Sequence, residues 1–241
     1  MKSEQTKKQR SFWRELPILI LVALVLSFLL QTFIARVYLI PSESMEPTLH
    51  GCAGCTGDRI VVEKLSYRFG EPEPGDVVVF LGPDSWSANY RSIRSDNSVI
   101  RGLQNAGSVF GVVPPDENDL VKRVIATGGQ TVECCDAQGR VLVDGKPLDE
   151  PYVVNDFPFT PGTLTCETVV KSGRCFGPVT VPADNLWVMG DNRNNSADSR
   201  YHVGDDLQGT VPVANVRGKA VFIVLPPSRM GVIGSPDIQS G

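Results

Sequence analysis

Apolar positions are distributed along this 241-residue chain in two different ways. From Leu16 to Ala35 they continue with only Ser27, Gln31 and Thr32 as polar interruptions and Pro17 near the start, close to the roughly 20 residues a helix needs to cross a hydrocarbon core. This is longer than the h-region of a cleaved signal peptide, about 7 to 15 residues, and Phe33-Ile34-Ala35-Arg36 is a poor small-residue cleavage site. An uncleaved transmembrane helix is therefore expected in preference to a signal peptide or a buried core helix. Beyond it, short β-branched runs bounded by Gly, Pro and Asp predict strands at Asp58 to Leu65, Asp76 to Leu81, Leu120 to Ala126, Leu186 to Met189 and Lys219 to Leu225. Asp144-Gly145, inside Val141 to Leu148, marks a two-residue hairpin turn. Between Pro83 and Pro115 the texture changes to Ser, Asn and Arg. There Val99, Ile100, Leu103, Ala106, Val109 and Phe110 recur at helical spacing, predicting an insertion with a short amphipathic helix that packs on the sheet or meets a membrane surface. With no long amphipathic helix in the body and no βαβ rhythm, the fold class is mainly β.

Charge sharpens this picture. Residues 1–36 carry six Lys/Arg and two Asp/Glu, leaving 17 basic and 25 acidic residues for the rest, a basic tail before an acidic body. Lys2, Lys7, Lys8, Arg10 and Arg14 precede the apolar run and Arg36 alone follows it closely, so the positive-inside bias predicts a cytoplasmic N-terminus and an extracytoplasmic body. An acidic body offers no footing for nucleic acid. All six cysteines, Cys52, Cys55, Cys134, Cys135, Cys166 and Cys175, lie beyond the anchor, where disulfides are permitted. Of the possible pairs, Cys166 with Cys175 is the best single expectation, because nearby Gly162, Gly173 and Gly177 let the chain bend back. A zinc site from Cys52-x-x-Cys55 and Cys134-Cys135 is the alternative, although adjacent cysteines do not reproduce zinc-ribbon spacing.

Candidate chemistry centres on Pro41-Ser42-Glu43-Ser44-Met45-Glu46-Pro47-Thr48-Leu49, where two hydroxyls lie between prolines that restrict the loop. A serine nucleophile needs a base. His50 and His202 are the only imidazoles, and lysine is the other candidate once desolvation lowers its pKa. Lys122, set among Leu120, Val121, Val124 and Ile125, is the lysine whose neighbours can do this, and Ser/Lys pairing is a known variant of triad logic.

Three ordered blocks then carry a resemblance. Ser42-Glu43-Ser44-Met45-Glu46-Pro47-Thr48, Asp119-Leu120-Val121-Lys122-Arg123 and the run from Gly190-Asp191-Asn192-Arg193 through Ser196-Ala197-Asp198-Ser199-Arg200 resemble the signature blocks of bacterial type I signal peptidases. Pro74-Gly75-Asp76-Val77-Val78-Val79-Phe80 resembles a further block, so the likeness covers about residues 15–225. It implies a serine endopeptidase that removes signal peptides after Ala-x-Ala. Ser44 would be the nucleophile, Lys122 the general base, Ser196 the hydroxyl orienting the lysine, and Ser42 with the Ser44 N–H the oxyanion hole. Asp198 and Arg200 would form a structural ion pair, with Asp191 and Arg193 in the same block. Tyr38, Ile40, Met45, Leu49, Leu120 and Val121 would line shallow pockets for small side chains. The implied fold is an all-β catalytic core with a smaller β extension behind one N-terminal transmembrane helix. On this chain that means a basic tail at 1–15, an anchor at 16–35, a core at 36–130 and 184–228 interrupted by the 83–115 insertion, an extension at 131–183 and a tail at 229–241. Position 194 is Asn where the family often has Asp, and neither the insertion nor Cys52-x-x-Cys55 has a family role; a disulfide involving Cys52 or Cys55 is expected to stiffen the nucleophile loop.

The nucleophile follows Ala35 by nine residues, at most about 30 Å of chain, so the reaction is expected near the bilayer surface. The expected partners are preprotein signal peptides and the lipid bilayer, for a cell-membrane monomer without metal or organic cofactor. Two rivals make different predictions. A membrane-anchored cysteine transpeptidase could use Cys166 of Thr163-Leu164-Thr165-Cys166, whereas in an anchored extracellular binding module Ser44 and Lys122 would be structural only.

Overall fold

The computed structural model describes residues 12–52, 54–86, 92, 94–109, 113 and 118–240. They divide into two compact units, one comprising residues up to 34 with 94–116 and the other comprising 35–93 with 117 onward.

In the first unit, α1 (Phe12–Phe33) contains a 19-residue stretch, Glu15–Phe33, long and apolar enough to cross a membrane. Ile18, Leu19, Leu21 and Leu26 are exposed around it, the all-round apolar surface that a lipid-facing helix presents. Two of its polar interruptions satisfy each other one turn apart, Gln31 Nε2 donating to Ser27 Oγ at 2.9 Å. The helix expected within the insertion spans Ser98–Val109, with the apolar Val99, Ile100 and Leu103 exposed.

The second unit begins where α1 has ended: Ala35, the last residue of the apolar run, opens strand β1 (Ala35–Leu39). There follow β2 (Arg59–Glu63), β3 (Val77–Leu81), β4 (Asp119–Thr127), β5 (Thr131–Cys134), β6 (Val141–Val143), β7 (Lys146–Pro147), β8 (Phe176–Thr180), β9 (Asn185–Met189), β10 (Val211–Pro212), β11 (Val216–Leu225) and β12 (Gly231–Val232). One antiparallel sheet has the order β1-β2-β11-β3-β4-β9-β10, with β12 also on β11; a second runs β7-β6-β5-β8. The protein is mainly β outside its apolar helix and the insertion. Val77, Val78, Val79 and Phe80 are all fully buried, so β3, flanked by β11 and β4, is covered on both faces. That is why its sequence is continuously apolar rather than alternating. The β6–β7 turn carries Asp144 and Gly145 at φ 51° and 75°, the left-handed pair a two-residue hairpin requires.

The two sheets share a core. Ile125, Trp187 and Met189 of the large sheet pack with Val132, Val141, Val143 and Val179 of the small one, and the Phe176 and Trp187 rings stack at 5.3 Å. The Pro/Gly/Ser-rich C-terminal segment also joins the core: Ile233 and Ile238 are buried, and Gln239 Nε2 donates to the Ile125 carbonyl at 3.0 Å. Gly75, at φ +96°, allows this approach, since a Cβ there would lie 2.0 Å from the Pro236 carbonyl oxygen.

The cysteines pair as Cys52–Cys55, Cys134–Cys135 and Cys166–Cys175. The third is the expected pair; the other two are local links. Among the described residues no thiol remains for a zinc site or for a nucleophilic Cys166.

Candidate active site

Two loops and one strand converge on Ser44. The first loop contains a single 3-10 turn, Glu43–Met45, pinned from beneath by Met45 and Leu49, which are almost fully buried, and by the Leu49 N–H donating to the Met45 carbonyl at 2.9 Å. Its far end is tied down by Asp58, which accepts the His50 N–H at 2.8 Å and pairs with Arg229 at 2.9 Å. The strand is β4, whose register sets Lys122 opposite Val78 and Arg123 opposite Val77. Successive residues of a strand face opposite ways, so two adjacent cations leave β4 on different sides.

Lys122 is 4% exposed, and its Nζ donates to Ser44 Oγ at 2.8 Å. Burial pushes the amine down from 10.5 to about 8; the Asp198 and Asp191 carboxylates push it back up, and the Arg200 guanidinium lowers it again. Both carboxylates are themselves matched by arginines, which weakens their hold on the lysine proton. Asp198 accepts from Arg200 Nε and Nη2 at 2.9 Å each and from the Gly190 N–H at 2.9 Å. Although burial alone would raise it, these bonds and the Arg200 charge keep the Asp198 carboxyl below the usual range. Asp191 pairs with Arg123 through Nε at 2.9 Å and Nη2 at 2.7 Å, both residues being buried.

Ser42 Oγ lies 3.2 Å from Ser44 Oγ, on the exposed side. Neither imidazole bonds to Ser44: His50 Nδ1 contacts Glu46, and His202 stacks on Trp86. Ser196 is 4% exposed and its Oγ does not bond to Lys122, so the Ser196–Lys122 bond implied by the resemblance is not formed here; the hydroxyl acts on the Asp198 carboxylate, helping to keep it ionised. The hydroxyl packs instead against Gly190, where a Cβ would lie 2.2 Å from it and 2.4 Å from the Ser44 carbonyl oxygen. Absence of a side chain at 190 is what lets the two loops close on each other.

Of the expected pocket residues, Tyr38, Ile40, Met45 and Leu49 share one buried cluster with Val121 packed against it. Leu120 packs against a different cluster, around Val78 and Phe80. Arg193 pairs with Glu150 of the connection between β7 and β8, Nη1 donating to Oε2 at 3.1 Å.

Sequence reasoning missed Arg123, Thr48, Tyr152, Glu150 and Asn192 as supports of the site. Arg123 also donates to the Gly75 and Gly234 carbonyls at 2.7 and 3.1 Å, and its guanidinium carbon stands 4.0 Å from the Tyr152 ring centroid. Thr48 Oγ1 donates to Asp191. A signal for Arg123 was available: alternation turns it to the face opposite Lys122, and the run from Leu120 to Ala126 is apolar on both faces, so that side is covered too. Nothing local pointed to Glu150 or Tyr152.

The arrangement provides a half-buried hydroxyl against a desolvated amine, with a second hydroxyl beside it. That suits acyl transfer from a carbonyl substrate. The family model described as signal peptidase, peptidase S26, matches residues 13–225. The chain is 57% identical over 245 residues to the signal peptidase I of Mycobacterium tuberculosis, covering 99% of this chain and 81% of that one. It is 55% identical over 251 residues to the probable signal peptidase I of Mycobacterium leprae, covering 98% and 84%. To the probable signal peptidase I-1 of Synechocystis it is 38% identical over 217 residues, covering 90% and 85%.

Proposed function

The chain belongs to the signal peptidase family, peptidase S26, and is a peptide-bond hydrolase; on that footing we propose that it cleaves secretory preproteins after Ala-x-Ala with Ser44 as nucleophile and Lys122 as general base. The observation that carries this reading is the 2.8 Å contact between Ser44 Oγ and the Nζ of a buried lysine held near 8.

The neutral Lys122 amine takes the Ser44 proton as Oγ attacks the scissile carbonyl carbon. The resulting oxyanion is held by the Ser42 hydroxyl and the Ser44 N–H; losing one such donor typically costs about 10²- to 10³-fold in kcat. Collapse breaks the C–N bond, and the Lys122 ammonium returns its proton to the departing amine of the mature protein. Lys122 then deprotonates a water that attacks the ester carbonyl, and as the C–Oγ bond breaks the Lys122 ammonium returns that proton to Ser44 Oγ, releasing the signal peptide and restoring both groups. Ser196, a buried hydroxyl beside Gly190 and Asp198, turns to accept from the Lys122 amine when that amine leaves Ser44. Asp198–Arg200 and Asp191–Arg123 hold the floor, and Arg193–Glu150 ties it to the second sheet.

Substrate lies extended along the sheet, its alternate side chains entering depressions over Tyr38, Ile40, Met45, Leu49 and Val121, while Leu120, expected among them, packs against the cluster around Val78 and Phe80. Met45 and Leu49, almost fully buried beneath, support a preference for small side chains. The apolar helix anchors the enzyme by a single pass, N-terminus in the cytoplasm, which brings the site to the membrane-held signal segment. The cysteine transpeptidase alternative needs a free thiol, and Cys166 is bonded to Cys175.

The direct test is the intact-mass spectrum of a secretory preprotein incubated with the detergent-solubilised chain and, in parallel, with Ser44→Ala. One cut after Ala-x-Ala, abolished in the variant, is the expected result. Equal cleavage by Ser44→Ala refutes the nucleophile.

A further inference from the structure

The nucleophile turn is gripped at two backbone carbonyls by Asn192, which is 7% exposed. Its N–H donates to the Ser44 carbonyl at 3.1 Å and its Nδ2 to the Glu43 carbonyl at 3.1 Å. Asn195 Nδ2 adds a bond to the Glu43 carboxylate at 2.9 Å. A carboxamide has one donor end and one acceptor end, and its two orientations occupy nearly the same volume. With Nδ2 towards Glu43 there is a hydrogen bond; with Oδ1 there, two acceptors oppose each other. The choice is made from behind, because Asn192 Oδ1 accepts Asn155 Nδ2 at 2.8 Å. Asn155 lies between β7 and β8, so it belongs to the second sheet's connection. Its backbone is docked at the same place, bridging Asn192 in parallel and accepting the Asn194 N–H at 3.3 Å.

We propose that Asn155 is a positioning residue for the nucleophile: by donating to Asn192 Oδ1 it sets the carboxamide so that the donor end holds the Glu43 carbonyl and keeps Ser44 Oγ against Lys122. The inference rests on Ser44 being the nucleophile. It gives the smaller sheet a part in catalysis without touching substrate.

The test compares the full-length wild type, Asn155→Ala, Asn155→Asp and Ser44→Ala in detergent at pH 8. Asn155 is exposed, so in Asn155→Ala water can donate in its place, and kcat should fall only about three-fold. In Asn155→Asp a carboxylate faces Asn192 Oδ1 and turns the carboxamide, setting two oxygens against each other at Glu43, and kcat should fall about ten-fold or more. KM and the pH midpoint of the rate should not move, and the melting temperature should stay within about 2 °C. The order of the two variants is decisive. Aspartate is nearly isosteric with asparagine, so a merely bracing residue would tolerate Asp better than Ala. Asn155→Asp as active as Asn155→Ala, or a loss confined to KM or accompanied by a larger fall in melting temperature, overturns the proposal. Residual cleavage by Ser44→Ala sinks the nucleophile assignment itself, whereas a dead Ser44→Ala beside a fully active Asn155→Asp removes only the positioning role.

Discussion

Lowering the pH from 9 to 6 should silence this enzyme by protonating one buried amine. Burial brings Lys122 from 10.5 to about 8, so at pH 7 about one molecule in ten carries the neutral base, against about one in 3,000 for an unperturbed lysine. The rate should therefore rise close to ten-fold per unit between pH 6 and 7 and level off near pH 9. The appropriate quantity is kcat/KM for an Ala-x-Ala peptide, which reports the free enzyme. The same shift has a stability counterpart. Between pH 8 and 10.5 the unfolded chain holds a proton on Lys122 that the folded chain lacks, so stability rises with pH across that window. Below it the folded protein bears the full cost of a buried ammonium, on the order of 3 kcal/mol. Lys122→Met should thus be inactive yet melt several degrees above wild type at pH 7, the gap closing by pH 10. A rate limb centred above pH 10, a flat profile, or a Lys122→Met that melts below wild type at pH 7 would refute the reasoning.

Two further substitutions test the support of the site. Arg123→Met leaves the Asp191 carboxylate buried and unpaired, which typically costs about 3 to 5 kcal/mol; calorimetry should show a fall of roughly 10 °C, with much of it recovered by adding Asp191→Asn. Gly190→Ala sets a Cβ 2.4 Å from the Ser44 carbonyl oxygen, so the nucleophile turn must shift; kcat/KM should drop at least about 10²-fold. Wild-type activity in Gly190→Ala would mean that the two loops yield without cost.

The reading of the fold from local pattern succeeded where the physics is local. The β-branched runs at β2, β3, β4, β9 and β11 became strands, Asp144-Gly145 became the hairpin turn, and the insertion's helical spacing became the Ser98–Val109 helix. Several boundaries moved by a few residues, and one changes the kind of element. Ala35 continues the apolar run by composition, yet it pairs with Glu63 as the first residue of β1, a preference only the partner strand supplies. The C-terminal segment reads as a polar tail, but its isolated Ile233 and Ile238 are core residues once the sheets are assembled.

Ser44 and Lys122 were legible because each sits in a distinctive local setting, a proline-bounded serine pair and a lysine inside an apolar strand. That they meet at 2.8 Å across 78 positions was beyond any periodicity, and followed from the resemblance alone. The sequence by itself therefore determined the apolar span, the strands, the charge asymmetry and the candidates for the reacting groups, because these depend on neighbours a few residues away. Only the tertiary structure decided that Asp191 pairs with Arg123, that Arg193 pairs with Glu150, and that Asn155 reaches Asn192. Charges and carboxamides taken out of water must find partners wherever the sheet register happens to bring them, and that register is a property of the whole chain.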